Sequence, residues 1–321
     1  MSLLTISRLA LAIPSGREWR TLVEEVDLTI GGGEAVGLVG ESGSGKSMTA
    51  RAVLGLTPPG ARLSGSIVFD GVEVTSLGAR ELRALRARRI GMIFQDPRAH
   101  INPVRSVGDF LTEAMVATLR VPAREAAARA VRLLAEVGIG DGERRLRQYP
   151  HELSGGLLQR VMIASVLALE PDLILADEPT TALDVTTQSE VMAILDELRR
   201  ERGMAMLLIT HDLELAAATC DRLAVMYAGR IVEARDAHSL TATPLHPYTS
   251  GLLLSRPRLE ETVHRLPVIP GRPVAAFEAD PGCAFAPRCA HALPACGAAR
   301  PVFDGTVACT RSAELTLQGE S

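Results

Sequence analysis

One glycine-rich octapeptide constrains this chain more than any other part of its sequence. Residues 40–47 read GESGSGKS, which matches the pattern G-x-x-x-x-G-K-[ST] at every fixed position. Lys46 is the only lysine in the chain, because every other Lys or Arg position is arginine. It stands where a compact ammonium group fits and a planar guanidinium group does not. We therefore predict a loop that holds phosphate groups.

The glycines of this loop explain how a nucleoside triphosphate would be bound. They allow successive backbone N–H groups to face one anion, and the helix that follows adds its positive N-terminal end. Lys46 would bridge the terminal phosphates, and the Ser47 hydroxyl would ligate Mg²⁺. The other predicted nucleotide contacts of the loop are Gly40, Ser42, Gly43, Ser44, Gly45 and Met48.

A hydrophobic strand that ends in two acids indicates what happens to the bound nucleotide. Residues 173–178 read LILADE, which would place Asp177 near the metal ion and Glu178 beside the terminal phosphate. One carboxylate could hold Mg²⁺ while the other takes a proton from the attacking water. The alternative is a solvated strand end with two ordinary acids. Because the strand accompanies a phosphate loop, we favour hydrolysis of the nucleotide.

Composition and charge narrow the class of protein. A chain of 321 residues with 47% apolar residues can bury one large core and still carry a small extension. The net charge of −4 creates no long-range field that would attract nucleic acid. The longest apolar candidate, residues 161–169, is too short to span a membrane, and Arg8 interrupts the apolar N-terminus, so we expect no secretory signal. These features predict a cytoplasmic protein.

The distribution of apolar runs predicts an α/β fold. Branched apolar runs indicate strands at 34–39, 66–69, 90–94, 173–176 and 206–209, and a helical pattern covers 45–56. Residues 107–149 are rich in alanine, arginine and leucine without a strand signal, which predicts a helical insert. After about Thr241, prolines punctuate a segment without periodicity. We expect a nucleotide-binding domain at 1–250, with a helical subdomain at about 97–155, and an extension at 251–321.

The motif at residues 153–156, LSGG, resembles the signature of ABC-type ATPases. Other features follow in that family's order over about residues 3–250. Gln95 resembles the glutamine of the Q-loop, residues 182–184 with Asp184 resemble the D-loop, and His211 resembles the switch histidine. Trp19 resembles the aromatic residue that stacks on adenine, although a core position is the alternative. Gln95 or His211 taken singly would more often be a structural polar residue.

This resemblance implies a P-loop ATPase, the ABC nucleotide-binding domain, that works as a pair. In the family, two ATPase subunits associate head to tail, and the signature of one closes over ATP held by the phosphate loop of the other. The catalytic residues would be Glu178, His211 and Gln95. The Mg²⁺ ligands would be Ser47, Gln95 and Asp177. Contacts to ATP from outside the phosphate loop would come from Trp19, Gln95, Ser154, Gly155, Gly156, Asp177 and Asp184.

Four cysteines, Cys283, Cys289, Cys296 and Cys309, crowd into the proline-rich extension. Four soft ligands in a reduced compartment indicate Zn²⁺ or an iron–sulfur cluster, although the spacing lacks C-x-x-C pairs. Buried thiols without metal remain an alternative, and His291 lies among the candidate ligands. Cys220 lies far from them and is predicted to be a small core residue.

The extension and residues 245–249, LHPYT, resemble the C-terminal part of ATP-binding subunits of dipeptide and oligopeptide importers. That resemblance implies a [4Fe-4S] cluster on the four cysteines, with Zn²⁺ as the alternative. It also implies a second ATPase subunit, preferably a different chain, two membrane permease subunits and, indirectly, an extracytoplasmic substrate-binding protein. The subunit would sit peripherally on the cytoplasmic face of the inner membrane.

Three other readings stay open at this point. The same ATPase type serves importers of nickel, glutathione and oligosaccharides. A soluble ABC ATPase without a permease is a second possibility, although such relatives generally have two cassettes or a long coiled-coil insert. A redox enzyme built around the cysteines is a third, but the chain carries no flavin or dinucleotide fingerprint.

Overall fold

The structure is a computed structural model that describes residues 2–181, 183–255 and 267–319. The described residues form ten strands: β1 Ser2–Ser15, β2 Glu18–Gly31, β3 Ala35–Val39, β4 Arg62–Phe69, β5 Val72–Glu73, β6 Ile90–Ile93, β7 Leu173–Asp177, β8 Ala205–Thr210, β9 Arg222–Tyr227 and β10 Arg230–Asp236. They also form twelve α-helices: α1 Lys46–Val53, α2 Ala79–Arg88, α3 Pro97–His100, α4 Val107–Ala117, α5 Ala123–Glu136, α6 Gly142–Leu146, α7 Gly155–Leu167, α8 Val185–Glu201, α9 Leu213–Thr219, α10 Ala237–Ala242, α11 Pro247–Leu254 and α12 Pro294–Ala298.

The chain divides into two compact units. The first contains residues 31–34 and 76–207, and the second contains residues 2–30, 35–75 and the chain from 208 onward. Each unit is described by itself below. Ala182 of the predicted D-loop, and residues 256–266, 320 and 321 of the predicted extension, lie outside the described residues.

The second unit contains an antiparallel sheet with the strand order β2-β1-β4-β5. The apolar N-terminus of the chain is strand β1, which pairs with β4 so that Leu4 lies opposite Phe69. Leu4, Ile6, Leu9 and Leu11 are buried. Burial of these side chains explains why this strand is apolar.

A second group of strands in this unit carries the phosphate loop. Strand β3 pairs in parallel with β9, and β9 pairs in antiparallel fashion with β10. All five residues of β3 are buried, as expected of a strand covered on both faces. Because β3 ends at Val39, the loop at residues 40–47 begins directly at the carboxyl end of a buried strand.

In the first unit, strands β6 and β7 are parallel neighbours, with Ile90 opposite Leu173 and Ile93 opposite Ala176. Both strands are buried over all their residues. Residues between them form helices α3 to α7, and no strand occurs at 97–155, all of which the structure describes. Helix α4 begins with a capping box in which Ser106 and Asp109 satisfy each other's backbone N–H groups.

Several predicted elements are confirmed, with small shifts of their ends. Strands β3, β4, β6, β7 and β8 cover the five predicted runs. The first helix ends at Val53 rather than Leu56, because Gly55 with φ 62° turns the chain. Strands β1, β2, β5, β9 and β10 were not predicted. Cys220 is buried, with 7% exposure, as expected of a core residue.

The described part of the extension, residues 267–319, contains little regular structure beyond α12 and short turns. It adds a short bridge to β10, since Val307 pairs with Glu233 and Ala308 N–H donates to the Val232 carbonyl. None of the helices in the described ranges has the length and apolar character that a membrane-spanning helix requires.

Candidate functional site

The phosphate loop has the backbone that its glycines permit. Gly45 caps the N-terminus of α1 with φ 106°, a left-handed conformation that side chains disfavour. A Cβ atom at Gly40 would lie 2.2 Å from the Met226 carbonyl oxygen, so only glycine allows the loop to leave β3 so close to β9. The loop is thereby fixed at the start of an eight-residue helix.

Lys46 is 4% exposed, and its ammonium group lies within the loop. Its Nζ donates to the carbonyl oxygens of Gly40 at 2.7 Å and Glu41 at 2.9 Å, and to Ser44 Oγ at 3.4 Å. Ser47 follows in the first turn of α1, where its hydroxyl is a hard oxygen ligand suited to Mg²⁺. The donor set therefore fits a magnesium-bound phosphate chain.

The two predicted acids lie at the carboxyl end of β7. Asp177 is the last strand residue and is 1% exposed. Glu178 follows with φ 45°, a left-handed conformation that is strained for a residue with a side chain. Gln95, two residues after β6, donates through Nε2 to Glu178 Oε2 at 2.9 Å, and Thr181 Oγ1 is 2.7 Å from the same oxygen. The structure thus brings Gln95 and Glu178 together.

The predicted signature forms the N-terminus of α7. Ser154 is the N-cap, and its Oγ accepts a hydrogen bond from Leu157 N–H at 3.3 Å. A Cβ atom at Gly156 would lie 2.7 Å from Thr187 Cγ2, so glycine allows α7 to approach α8. The backbone N–H groups at the start of this 13-residue helix carry partial positive charge.

Asp184 caps the N-terminus of α8. Its carboxylate accepts from the backbone N–H of Thr187 at 3.0 Å and from the Thr187 hydroxyl at 2.8 Å. These hydrogen bonds lower the pKa of Asp184. Gln95, Gly155 and Leu183 line one cavity of about 60 Å³, so the predicted Q-loop glutamine, the predicted signature and the segment just before α8 meet in the first unit.

The remaining predicted site residues, like the phosphate loop, belong to the second unit. His211 is exposed and follows β8, and Asp212 caps the next helix, α9. Trp19 lies on β2 and is 40% exposed, which excludes the core position considered from the sequence. The Arg62 guanidinium lies over its ring, 3.7 Å from the centroid.

The four cysteines of the extension line one cavity, together with His246 and His291. Cys283 N–H donates to the Cys296 carbonyl at 2.8 Å, which holds two of the cysteine positions together. Burial raises the pKa of the thiols of Cys283, Cys289 and Cys309. In the described ranges, no three His, Cys, Asp or Glu side chains converge around a point that could hold a metal ion. The described residues therefore support neither the predicted iron–sulfur cluster nor the zinc alternative.

The segment at residues 245–249 is held by a buried acid that the sequence analysis did not single out. Glu233 on β10 is fully buried, and its carboxylate accepts from the backbone N–H groups of Leu245 and His246, each at 2.9 Å. Burial raises the pKa of Glu233 and lowers the pKa of His246 to about 3. His246 is thus a neutral N-cap that accepts from Tyr248 N–H.

Sequence reasoning also missed an ion pair between Glu41 and Arg288. Glu41 occupies a variable position of the phosphate-loop motif, and Arg288 precedes Cys289 in the extension. No sequence signal could have found this pair, because its two residues lie 247 positions apart.

Two family profiles match the chain. Residues 23–181 match the family described as ABC transporter, and residues 232–296 match the oligopeptide/dipeptide transporter C-terminal region. The dimeric ATP-binding cassette MJ0796, bound to ADP and phosphate in a post-hydrolysis state, superimposes with a TM-score of 0.66 and 29% identity. That similarity covers 73% of this chain and 98% of the cassette, and it confirms the P-loop ABC ATPase fold with mixed sheets.

Relatives that match over most of both chains indicate the same family. The oligopeptide transport ATP-binding protein OppD of Salmonella typhimurium is 45% identical over 92% of this chain and 88% of its own length. The protein of the same name from Haemophilus influenzae is 44% identical over 86% of this chain and 85% of its own length. The chain therefore belongs to the ABC transporter family of ATPases, as a member with the C-terminal region of oligopeptide and dipeptide transporters.

Proposed function

We propose that this chain is the ATP-binding and ATP-hydrolysing subunit of an importer for dipeptides or oligopeptides. The observation that carries the substrate class is the match of residues 232–296 to the C-terminal region of such transporters, next to an ABC ATPase domain. The relatives named OppD, which are oligopeptide transport proteins, support the same class.

The phosphate loop would hold the triphosphate of ATP. Lys46 would turn its ammonium from the loop carbonyls toward the terminal phosphates, and the loop N–H groups would bind the same anion. Ser47 and Asp177 would hold Mg²⁺, with Gln95 as a further oxygen ligand. The bound ion would neutralise charge on the phosphates. Trp19 would stack on adenine, with Arg62 behind the ring.

Hydrolysis would depend on Glu178 as the base. Its Oε2 accepts hydrogen bonds from Gln95 and Thr181, which orient the carboxylate at the end of β7. A carboxylate at this place can take the proton from the attacking water. His211 would contribute to the same step by contacting the terminal phosphate.

The signature would act on a second subunit. This chain already has one phosphate cradle around Lys46, so the helix start at Ser154, Gly155 and Gly156 would bind the ATP of a partner ATPase, with Asp184 at the same interface. Closure of the pair would exclude bulk water, and hydrolysis would let it reopen. We favour a heterodimer of two related chains.

The wider assembly would consist of this ATPase pair and two membrane permease subunits, at the cytoplasmic face of the inner membrane. An extracytoplasmic substrate-binding protein would deliver the peptide. In this proposal residues 1–250 form the ATPase domain, its helical subdomain at about 97–155 contacts the permeases, and residues 251–321 form the cysteine-rich extension.

Affinity purification from native membranes tests the proposed function. A tagged copy of this chain is expected to recover two permease subunits and a second ATPase, because transport needs all four. Deleting the gene should abolish uptake of labelled peptides and leave uptake of nickel, glutathione and oligosaccharides unchanged. An untagged strain is the control. Recovery with ribosomes, recovery of no membrane subunit, or loss of one of the other uptake activities would overturn the proposal.

We further propose that the four cysteines bind a [4Fe-4S] cluster. Support comes from the cavity that all four cysteines line and from the hydrogen bond between Cys283 N–H and the Cys296 carbonyl, which holds two of them together. A cubane cluster keeps its four thiolates farther apart than a single ion does, so it does not require the close convergence that is missing here.

Anaerobically purified protein is therefore expected to be brown and to contain about four iron atoms and about four acid-labile sulfides per chain. Cys296→Ser should lose most of the iron, because one thiolate ligand is removed. Cys220→Ala is the matched control, since Cys220 is buried elsewhere, and it should keep the iron. Stoichiometric zinc, or equal iron in both variants, would contradict the cluster.

A further inference from the structure

Arg288 of the extension makes a two-pronged ion pair with the phosphate loop. Its Nη1 donates to Glu41 Oε2 at 2.6 Å, and its Nη2 donates to Glu41 Oε1 at 3.0 Å. The Arg288 side chain is 4% exposed and that of Glu41 is 24% exposed. Paired guanidinium and carboxylate groups with this geometry form the strongest class of protein hydrogen bond. The contact joins residues 247 positions apart.

The surroundings of Arg288 fix its position. Its Nε donates to the Pro270 carbonyl at 2.8 Å, and its guanidinium lies within 5.9 Å of the rings of Tyr227 and Phe285. Those rings and Tyr248 form a buried aromatic cluster with centroid separations of 4.7 to 5.3 Å. Arg288 is therefore held by the core of the second unit rather than by solvent-exposed contacts.

Glu41 is held at three points. Its carboxylate accepts from Arg288, its backbone N–H donates to Tyr248 Oη at 2.9 Å, and its carbonyl accepts from Lys46 Nζ. The carboxylate is also a negative charge on a loop that binds a polyanion. Without a buried cation beside it, that charge would repel the phosphates of a nucleotide.

We propose that Arg288 is a positioning residue of the ATP site, which neutralises Glu41 and holds the phosphate loop in its binding conformation. This inference rests on the proposed binding of ATP by the Lys46 loop. It gives the extension a role in nucleotide affinity that does not depend on whether the cysteines carry a cluster. It predicts that Glu41 and Arg288 act as a unit.

The test measures the Kd of MgATP for the full-length protein, purified anaerobically, by calorimetric titration. Arg288→Ala is expected to weaken binding about tenfold, which corresponds to about 1.4 kcal/mol. Glu41→Gln alone should weaken binding by less than about threefold, because it removes the repelling charge and leaves the Arg288 cation in place. Adding Glu41→Gln to Arg288→Ala should restore the Kd to within about threefold of the parent value.

Arg272→Ala is the matched control. Arg272 forms an exposed two-pronged pair with Glu278 in the same extension, so its loss should leave the Kd unchanged. Iron content and thermal unfolding of each variant separate a local effect from a damaged extension. If Arg288→Ala does not fold, Arg288→Lys replaces it. Lysine keeps the charge without the bidentate geometry, and binding about fivefold weaker than that of the parent is expected.

Two results would overturn the inference. One is parent-like binding by Arg288→Ala, and the other is failure of Glu41→Gln to restore binding in the Arg288→Ala background, which would mean a packing role alone. Neither result would affect the proposed function, because the parent protein would still bind MgATP. Failure of the parent itself to bind MgATP would instead contradict the proposed function.

Discussion

Replacing Glu178 with glutamine is expected to leave ATP bound and unhydrolysed. The substitution keeps the size of the side chain and removes the carboxylate that would take a proton from water, so the hydrolysis rate should fall by about 10² to 10⁴. The Kd of MgATP should stay close to that of the parent, because Lys46 and its loop are untouched. Single-turnover hydrolysis of radiolabelled ATP, together with gel filtration of the ATP-bound protein, measures both effects.

Glu113→Gln provides the control for this substitution. Glu113 lies exposed on α4 in an ion pair with Arg105, so the change removes a carboxylate from the same unit without touching the site. Its hydrolysis rate should equal that of the parent. An unchanged hydrolysis rate in Glu178→Gln would show that Glu178 is not the base. Weakened ATP binding in that variant would instead indicate that Glu178 also contributes to the binding of ATP before hydrolysis.

The sequence predicted the buried strands well because they are continuous apolar runs. Strands β3, β6, β7 and β8 are buried at every residue, so their composition alone distinguishes them. Strand β2 was missed although it alternates, with Val26, Leu28 and Ile30 buried and Asp27 and Thr29 exposed. That period of two was a usable signal, obscured by the charged residues on its exposed face.

Local motifs predicted the candidate site better than long-range contacts did. The phosphate loop lies between a buried strand and a helix, as predicted, because the glycine positions and the helix start are encoded within eight residues. The hydrogen bond between Gln95 and Glu178 follows from parallel strands β6 and β7, which place their carboxyl ends side by side. The pair of Glu41 and Arg288 could not be inferred, since no periodicity relates residues so distant in sequence.

Lys46→Ala is expected to have the largest effect on nucleotide binding itself. Nζ lies within the loop at 2.7 Å and 2.9 Å from two carbonyl oxygens, a position from which it can move to the phosphates. Removing a buried cation that pairs with a polyanion should cost about 3 kcal/mol, or about 150-fold in the Kd of MgATP. Lys46→Arg should not restore binding, because a planar guanidinium does not fit among the glycines.

Ser42→Ala is the matched variant in the same loop. The Ser42 side chain is exposed, and alanine keeps the backbone N–H that would face the phosphates, so affinity should stay within about threefold of the parent. Circular dichroism of each variant checks the fold. Normal affinity in Lys46→Ala would show that the ammonium group does not contact the nucleotide. Equal losses in both variants would trace the effect to disruption of the loop backbone rather than to the missing charge.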